Sequence, residues 1–490
     1  MASASPQVSR TVSRIAASFL AAVILVYLGL IGLGQWLPDE YDDFGRLAQD
    51  GWRAVAERLQ WSPRPLSESI FYGYGWLVNH SHRPLIVPFL GLLWAGFLGA
   101  GLLTYWQGRH NQDRPDGQRK TIAPDLLAGL ALMASFLAGG EVREVFYWPA
   151  GAVAYLPTLS ATLLLFLQVA RGRLVTPAGR RLCSFCLLAA ACSSEVGATL
   201  ALSYAAIQAL LWAIGAIQKK GHDVSRTPFL WWTIPGVMAF LVLFAVRMNR
   251  FQAVERPVSY LSGTLGHPLS SLTAGLGELL LEAFGVKVHT HAGLAVSGRF
   301  ASEILLAIGV ALCWSRFGRL SRAVVWQTVA VAAALLLASW LTIAGAELHF
   351  GAVCCQQHEV IRRCWMLMGL AGIAIVTLNS AAAERLRLRS FLILAPILLC
   401  AGIIVAWHTK PVFRQYRIYP AVYRVMDQNF RSGFNPGDPQ MIFLLPPSRG
   451  LIYGEQIAPG VYTRSSPSAA YPQYILIFFG KERVVVRSAR

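Results

Sequence analysis

Four carboxylates stand within a short segment near the start of the chain, Pro38-Asp-Glu-Tyr-Asp-Asp-Phe44: Asp39, Glu40, Asp42 and Asp43. Such a concentration of negative charge must be solvated, bind a metal ion or face cationic partners. A carboxylate in the cluster could also act as a general base and remove a proton from a hydroxyl group. A solvated exit from a membrane span is the structural alternative.

A second short segment combines aromatic and charged side chains, namely Glu141, Arg143, Tyr147 and Trp148. Aromatic residues at a membrane interface usually form the belt that anchors the spans. These aromatic residues adjoin charged residues in a loop too short to be a domain, so a surface that faces a sugar or a headgroup is the other interpretation. Both interpretations stay open.

Glu195 lies in an apolar stretch bounded by Arg181 and Lys219. The roughly thirteen residues after Arg181 would climb only about 20 Å into a hydrocarbon core about 30 Å thick. Glu195 is therefore predicted to lie below the membrane surface, where an ionisable residue is costly and marks a candidate functional site. A hydrogen-bonded structural carboxyl between helices is the alternative.

Arginine side chains supply the opposite charge in two places. Arg362 and Arg363 stand at the start of a late apolar run, and Arg64 follows the acidic segment. The planar guanidinium group of arginine suits phosphate binding. The structural alternative is that these side chains extend to the lipid headgroups. His349 and His358 are further binding candidates, but nine residues apart they have weak spacing for zinc.

The composition fits a membrane protein, since the 490 residues are 55% hydrophobic and only 14% charged. A net charge of +18 could suggest nucleic acid, but the basic residues form short clusters between apolar runs, which favours membrane orientation. The sequence predicts an all-α polytopic protein with about eleven transmembrane helices. The predicted spans are 15–36, 84–106, 122–138, 151–170, 182–194, 198–217, 228–246, 303–315, 323–345, 365–381 and 390–407.

Lys and Arg residues recur in every second predicted loop, which places those loops in the cytoplasm. The outer side then receives the loops 37–83, 139–150, 247–302 and 346–364 and the tail after 407. We predict two domains: a transmembrane domain over 1–407 and a small extracytoplasmic β-containing segment over 408–490. The β-like runs in that segment are 441–445, 474–479 and 483–487.

These features together resemble the bacterial membrane glycosyltransferases of the GT-C superfamily, and in particular the serotype-converting glucosyltransferase-like proteins. The resemblance is carried by the acidic motif after the first span, Arg64-Pro65-Leu66, Phe146-Tyr147-Trp148, Glu195 and the short soluble tail. It covers about residues 12 to 407.

The resemblance implies an inverting transfer of a sugar from a polyprenyl-phosphate carrier to an extracytoplasmic glycan or lipid, at the bacterial inner membrane. It also implies a base in the first outer loop, carried over to Asp42 or Asp39. The acidic cluster would permit a divalent cation such as Mg²⁺ or Mn²⁺, but many relatives that use monophosphate donors are thought to work without one. The expected partners are the lipid-linked donor, the acceptor and membrane lipid, and no nucleic acid.

Two other functions stay open. An O-antigen polymerase or ligase would use arginines of one long, late outer loop with lipid-linked substrates. A transporter or flippase of lipid-linked saccharide would use Glu195 as its coupling residue, although the inverted repeats typical of transporters are not visible in the sequence.

Overall fold

The structure is a computed structural model that describes most of the chain. The described residues are 6–110, 124–138, 142–217, 230–253, 268–283, 307–312, 320–350, 356–379, 409–410, 412–446, 457–465 and 470–489. Among the predicted features, Glu141, the span 390–407 and most of the loop 247–302 lie outside these ranges.

Helices account for most of the described residues. In chain order they are α1 Pro6–Leu28, α2 Pro38–Asp50, α3 Trp52–Trp61, α4 Pro65–Ser81, α5 Ile86–His110, α6 Pro124–Ala138, α7 Arg143–Phe146, α8 Pro149–Ala170, α9 Pro177–Ser193, α10 Glu195–Ile217, α11 Leu230–Ala253, α12 Pro268–Ala283, α13 Arg322–Phe350, α14 Gln356–Leu378, α15 Tyr419–Gly433 and α16 Ala470–Phe479. Short 3₁₀ helices cover Ile31–Leu33, Arg173–Val175 and Arg414–Arg417.

Seven helical segments within the described ranges are long and apolar enough to cross a membrane. They are Ser13–Leu33, Ile86–Gln107, Pro149–Ala170, Glu195–Ile214, Leu230–Asn249, Arg322–Ala346 and Gln357–Leu378. The protein therefore fits a multi-pass membrane protein. Two further predicted spans correspond to shorter helices, since α6 has 15 residues and α9 has 17.

The chain divides into two compact units, of which unit 1 comprises residues 1–24, 97–140 and 158–408. Its described part is a helical bundle in which α10 packs against α9, α11 and α13, and α13 packs against α12 and α14. Polar side chains join neighbouring helices inside it. Gln327 on α13, for example, accepts hydrogen bonds from Tyr204 (3.2 Å) and Gln208 (2.8 Å) on α10.

Unit 2 comprises residues 25–96, 141–157 and 409–490. It contains α2, α3 and α4 together with a three-stranded sheet of β1 Gln440–Leu445, β2 Gly460–Thr463 and β3 Arg483–Ser488. The strand order is β1-β3-β2, with β1 parallel to β3 (Gln440 opposite Arg483) and β2 antiparallel to it. α15 packs on β1, and α16 packs on α2.

The run 474–479 was predicted as a strand but is part of the helix α16, so this prediction was wrong. Alternating side chains of a strand would bury every second residue. The buried residues are instead Ile475, Leu476, Phe478 and Phe479, which share one side of a helix. Packing of this side against α2 outweighs the β-propensity of the sequence.

The tail after 408 belongs to the same unit as 25–96 and 141–157. The ring of Trp36 shows how these parts pack, because its centroid lies 4.9 Å from that of Phe430 and 5.2 Å from that of Phe478. Three segments predicted to lie outside the cytoplasm thus form one core. They must share one side of any membrane that the chain crosses.

Candidate functional site

The acidic segment lies on α2, whose start is fixed by its own sequence. Pro38 occupies the first turn, where its missing N–H costs nothing. Glu40 Oε2 accepts a hydrogen bond from the backbone N–H of Leu37 at 2.8 Å, which satisfies one of the free donors at the helix start. The four carboxylates therefore belong to the first two turns of a well-capped helix.

Glu40 also connects α2 to the second predicted outer loop. The side chain is fully buried, and it accepts hydrogen bonds from Trp148 Nε1 (3.1 Å) and from the backbone N–H of Ala150 (2.9 Å). Burial raises the pKa of Glu40 to about 8 and the charge of Asp39 adds to the rise, whereas the three N–H donors oppose it. These contacts favour a positioning role, in which Glu40 holds the start of α2 against the start of α8.

Asp39, Asp42 and Asp43 have three different environments. Asp39 is exposed, and Asp43 lies one helical turn further along and is buried. Asp42 is partly exposed and pairs with Arg46, whose Nε lies 2.9 Å from Asp42 Oδ1. Asp42 thus forms an ion pair with Arg46 at the surface. Asp39 is exposed to solvent, and the buried Asp43 lies one helical turn away on the same side of α2.

A buried network surrounds Asp43. Arg58 Nη2 lies 3.7 Å from Asp43 Oδ2, and Arg58 Nε lies 3.7 Å from Glu68 Oε2. The hydroxyl of Tyr72 donates to Asp43 Oδ1 at 3.1 Å. The guanidinium carbon of Arg58 also lies 5.1 Å from the centroid of the Trp61 ring, within cation–π range.

Burial dominates the electrostatics of this network. It raises the pKa of Asp43 to about 6; Arg58 opposes the rise, and the charges of Glu68 and Asp39 add to it. The pKa of Asp39 is also raised: the residue has exposed surface, but nearby protein atoms reduce the solvation of its carboxyl, with Arg58 opposing and Asp42 adding to the rise. The site therefore holds two aspartates that are stronger bases than an ordinary aspartate.

Arg58, Glu68 and Tyr72 were not identified from the sequence as site residues. Arg58 and Glu68 come from α3 and α4, and only the tertiary packing shows that they flank Asp43. The sequence offered one indication that Glu68 could belong to the site, because Glu68 directly follows the segment Arg64-Pro-Leu-Ser67 at the start of α4.

Among the other predicted site residues of unit 2, Tyr147 and Trp148 make hydrogen bonds that hold the fold together. Tyr147 is buried and its hydroxyl donates to the backbone oxygen of Tyr27 at 2.7 Å. Trp148 is half-buried and donates to Glu40. Arg143 and Arg64 are half-buried, and Arg64 directly precedes α4. The structure thus brings Arg64, Arg143, Tyr147 and Trp148 into the same unit as the acidic residues.

The other predicted residues belong to unit 1. Glu195 is half-buried and begins α10, directly after Ser194, whose hydroxyl caps that helix by accepting from the Gly197 N–H at 3.0 Å. Arg363 pairs with Glu359 at 2.5 Å. His358 is half-buried, Arg362 is fully buried, and His349 lies near the end of α13.

The described residues contain no group of three or more His, Cys, Asp or Glu side chains with the geometry to hold a metal ion. The side chains of the candidate site offer the chemistry of carboxylates and cations: proton transfer by Asp39 or Asp43, and charge compensation by Arg58.

The helices fit a multi-pass membrane protein, and its acidic network lies on α2, α3 and α4, which come after the first apolar helix in the chain. Comparisons of this chain with protein-family models, with curated proteins and with solved structures found no match.

Proposed function

We propose that this protein is an inverting membrane glycosyltransferase. It moves a sugar from a polyprenyl-phosphate carrier to a glycan or lipid acceptor outside the cytoplasm. The proposed location is the bacterial inner membrane, with the site on the extracytoplasmic face. Nucleotide sugars are not supplied on that face, so a lipid-linked donor is the natural sugar source.

Support comes mainly from one arrangement: the exposed Asp39 stands one helical turn from the buried Asp43, Arg58 and Glu68 network. A general base works best when its pKa lies near the working pH. Desolvation by the surrounding protein raises the pKa of Asp39 in that direction; Arg58 opposes the rise, and the charge of Asp42 adds to it. Asp39 is the carboxylate that a substrate could reach, because Asp43 is buried and Asp42 pairs with Arg46.

In the proposed reaction, the carboxylate of Asp39 takes the proton of the acceptor hydroxyl. The acceptor oxygen forms a bond to the anomeric carbon, and the bond from that carbon to the phosphate oxygen breaks on the opposite side. The polyprenyl phosphate leaves with the electron pair, so the anomeric configuration inverts. Arg58 is a positioning residue: it contacts Asp43 and so holds the part of α2 that carries Asp39 in place.

The test is transfer of radiolabelled sugar from a panel of synthetic polyprenyl-phosphate donors to endogenous acceptors, in membranes that contain the full chain. Loss of a general base typically costs about 10²–10⁴-fold in rate. We expect Asp39→Asn to show such a loss. The matched control is Asp42→Asn, which should keep activity within about threefold because its surface ion pair contributes little.

Two outcomes would contradict the proposal. Equal losses in Asp39→Asn and Asp42→Asn would remove the assignment of the base to Asp39. Absence of transfer from every donor, with the protein inserted and folded, would reject the glycosyltransferase and favour a polymerase or ligase, or a transporter of lipid-linked saccharide.

A further inference from the structure

The segment 412–424 in unit 2 has two distinct faces. Val412, Gln415 and Val422 are buried, whereas several residues beside them in the chain are exposed. The outward face carries three arginines and three aromatic rings: Arg414, Arg417, Arg424, Phe413, Tyr416 and Tyr423. Alternation of cations with large aromatic rings is the composition expected at the boundary between lipid headgroups and acyl chains.

Contacts with the end of α1 and with the turn after it place the segment 412–424 near one end of the first candidate span. The hydroxyl of Tyr416 donates to the backbone oxygen of Val26 at 2.6 Å. The rings of Tyr416 and Tyr419 lie so close to Gly29 and Gly32 that a β-carbon at either glycine would collide with a tyrosine. These partners belong to the last turns of the apolar segment Ser13–Leu33. The segment therefore lies where the first candidate span ends.

The positive charge of the segment is not cancelled inside the described part of the protein. Arg424 Nε donates to the backbone oxygen of Pro420, and the nearby carboxylate of Asp427 pairs with Arg431 at 2.8 Å. No carboxylate among the described residues forms an ion pair with Arg414 or Arg417. Within the described ranges, two guanidinium groups at a membrane boundary thus have no carboxylate partner, and a phosphate group would supply a counter-charge.

We propose that residues 412–424 form a binding surface for the phosphate groups of anionic phospholipids, in the leaflet where the first span ends. Arg414 and Arg417 bind the phosphates, while the exposed rings of Phe413 and Tyr423 lie among the headgroups. Binding there would hold α15, which begins within the segment, and the sheet that comes after α15 at the membrane surface. This proposal does not depend on the proposed sugar transfer.

The experiment uses the purified full chain, delipidated in a neutral detergent and titrated with dioleoyl phosphatidylglycerol or dioleoyl phosphatidylcholine, with bound lipid counted by native mass spectrometry. The double variant Arg414→Gln/Arg417→Gln removes two interfacial cations. Its affinity for phosphatidylglycerol should be about tenfold or more lower than that of the parent. Binding of phosphatidylcholine should change much less. The matched control is Arg53→Gln, an exposed arginine that pairs with Glu57, and it should bind both lipids like the parent.

Two further arms identify the ligand and guard against misfolding. Arg414→Lys/Arg417→Lys keeps the charge and should recover most of the binding, whereas a merely misfolded segment would not. Inorganic phosphate at the concentration of the lipid phosphate should not displace phosphatidylglycerol. Unchanged phosphatidylglycerol binding in the glutamine variant would overturn the proposal, and ready displacement by inorganic phosphate would overturn its assignment to lipid.

Discussion

Neighbouring carboxylates on α2 differ because each helical residue is rotated by about 100° from the one before it. Glu40 points into the protein and receives three N–H donors. Asp42 points to the surface and meets Arg46 one turn later, whereas Asp39 and Asp43 share a third direction. Helix geometry therefore gives these neighbouring carboxylates different roles. Glu40 is a positioning residue, Asp42 belongs to a surface ion pair, and Asp39 is the candidate base.

Asp43 makes the stability of the protein depend on pH. Its pKa in the folded state is about 6, above its ordinary value of 3.8, so the folded state binds more protons between these values. The contribution of Asp43 to stability is therefore fully present below about pH 4 and decreases as the pH rises to about 6. A shift of about two pKa units corresponds to about 3 kcal/mol.

The measurement is the melting temperature of the parent and of Asp43→Asn in detergent across this pH range. The variant removes the titration of Asp43 and leaves that of Glu40, so the difference between the two proteins isolates Asp43. We expect the parent to lose stability relative to the variant from pH 4 to pH 6 and no further above pH 7. A difference that stays constant, or changes in the parent's favour, would contradict the buried environment of Asp43.

At the scale of elements, Trp36 joins the parts of unit 2. Its indole N–H donates to the Tyr74 hydroxyl at 2.8 Å, and its ring packs edge-on against Tyr41, Phe44 and Phe478. These partners come from α2, α4 and α16, and α16 lies far from the other two helices in the sequence. The aromatic cluster thus holds α2, and with it the candidate base, against the tail.

Trp36→Ala should destabilise the protein by about 3–5 kcal/mol, because it removes a buried indole and leaves a cavity. Trp52→Ala is the matched control: Trp52 is 62% exposed, and its loss should cost within about 0.5 kcal/mol. Both values can be taken from chemical denaturation followed by near-ultraviolet circular dichroism. Equal effects of the two substitutions would show that the aromatic cluster does not hold unit 2 together.

At the scale of the whole molecule, the arrangement of unit 2 constrains the topology. The segments 37–83 and 142–150 and the described part of the tail pack together, so an odd number of crossings cannot separate any two of them. The positive-inside pattern of the sequence predicts that this common side lies outside the cytoplasm. The packing supports a shared side, and its direction stays a prediction from the basic loops.

Cysteine labelling in intact cells tests this topology. Gln49→Cys and Gly437→Cys, both at exposed positions, should react with a membrane-impermeant maleimide. Ala178→Cys, exposed at the start of α9 in a predicted cytoplasmic loop, should react only after permeabilisation. The parent gives the background of the eight native cysteines. Labelling of Ala178→Cys alone in intact cells would reverse the orientation, and opposite behaviour of residues 49 and 437 would contradict the packing of unit 2.

Local properties of the sequence determined the membrane class. Runs of apolar residues about as long as a bilayer is thick appear in composition alone, and seven of the predicted spans correspond to long apolar helices. The cluster of carboxylates at 39–43 was also visible in the sequence, but the helix that carries it was identified only in the structure. The shorter apolar helices α6 and α9 show the limit of such counting, because length and hydropathy do not by themselves define a crossing.

Only the tertiary structure decided how distant residues meet. The run 474–479 has β-propensity yet is helical, because one of its sides packs on α2. Arg58 and Glu68 became part of the candidate site because α3 and α4 fold back beside Asp43. Spacing along the chain carries no information about such contacts, since they arise from burial of apolar surface shared between elements that are remote in sequence.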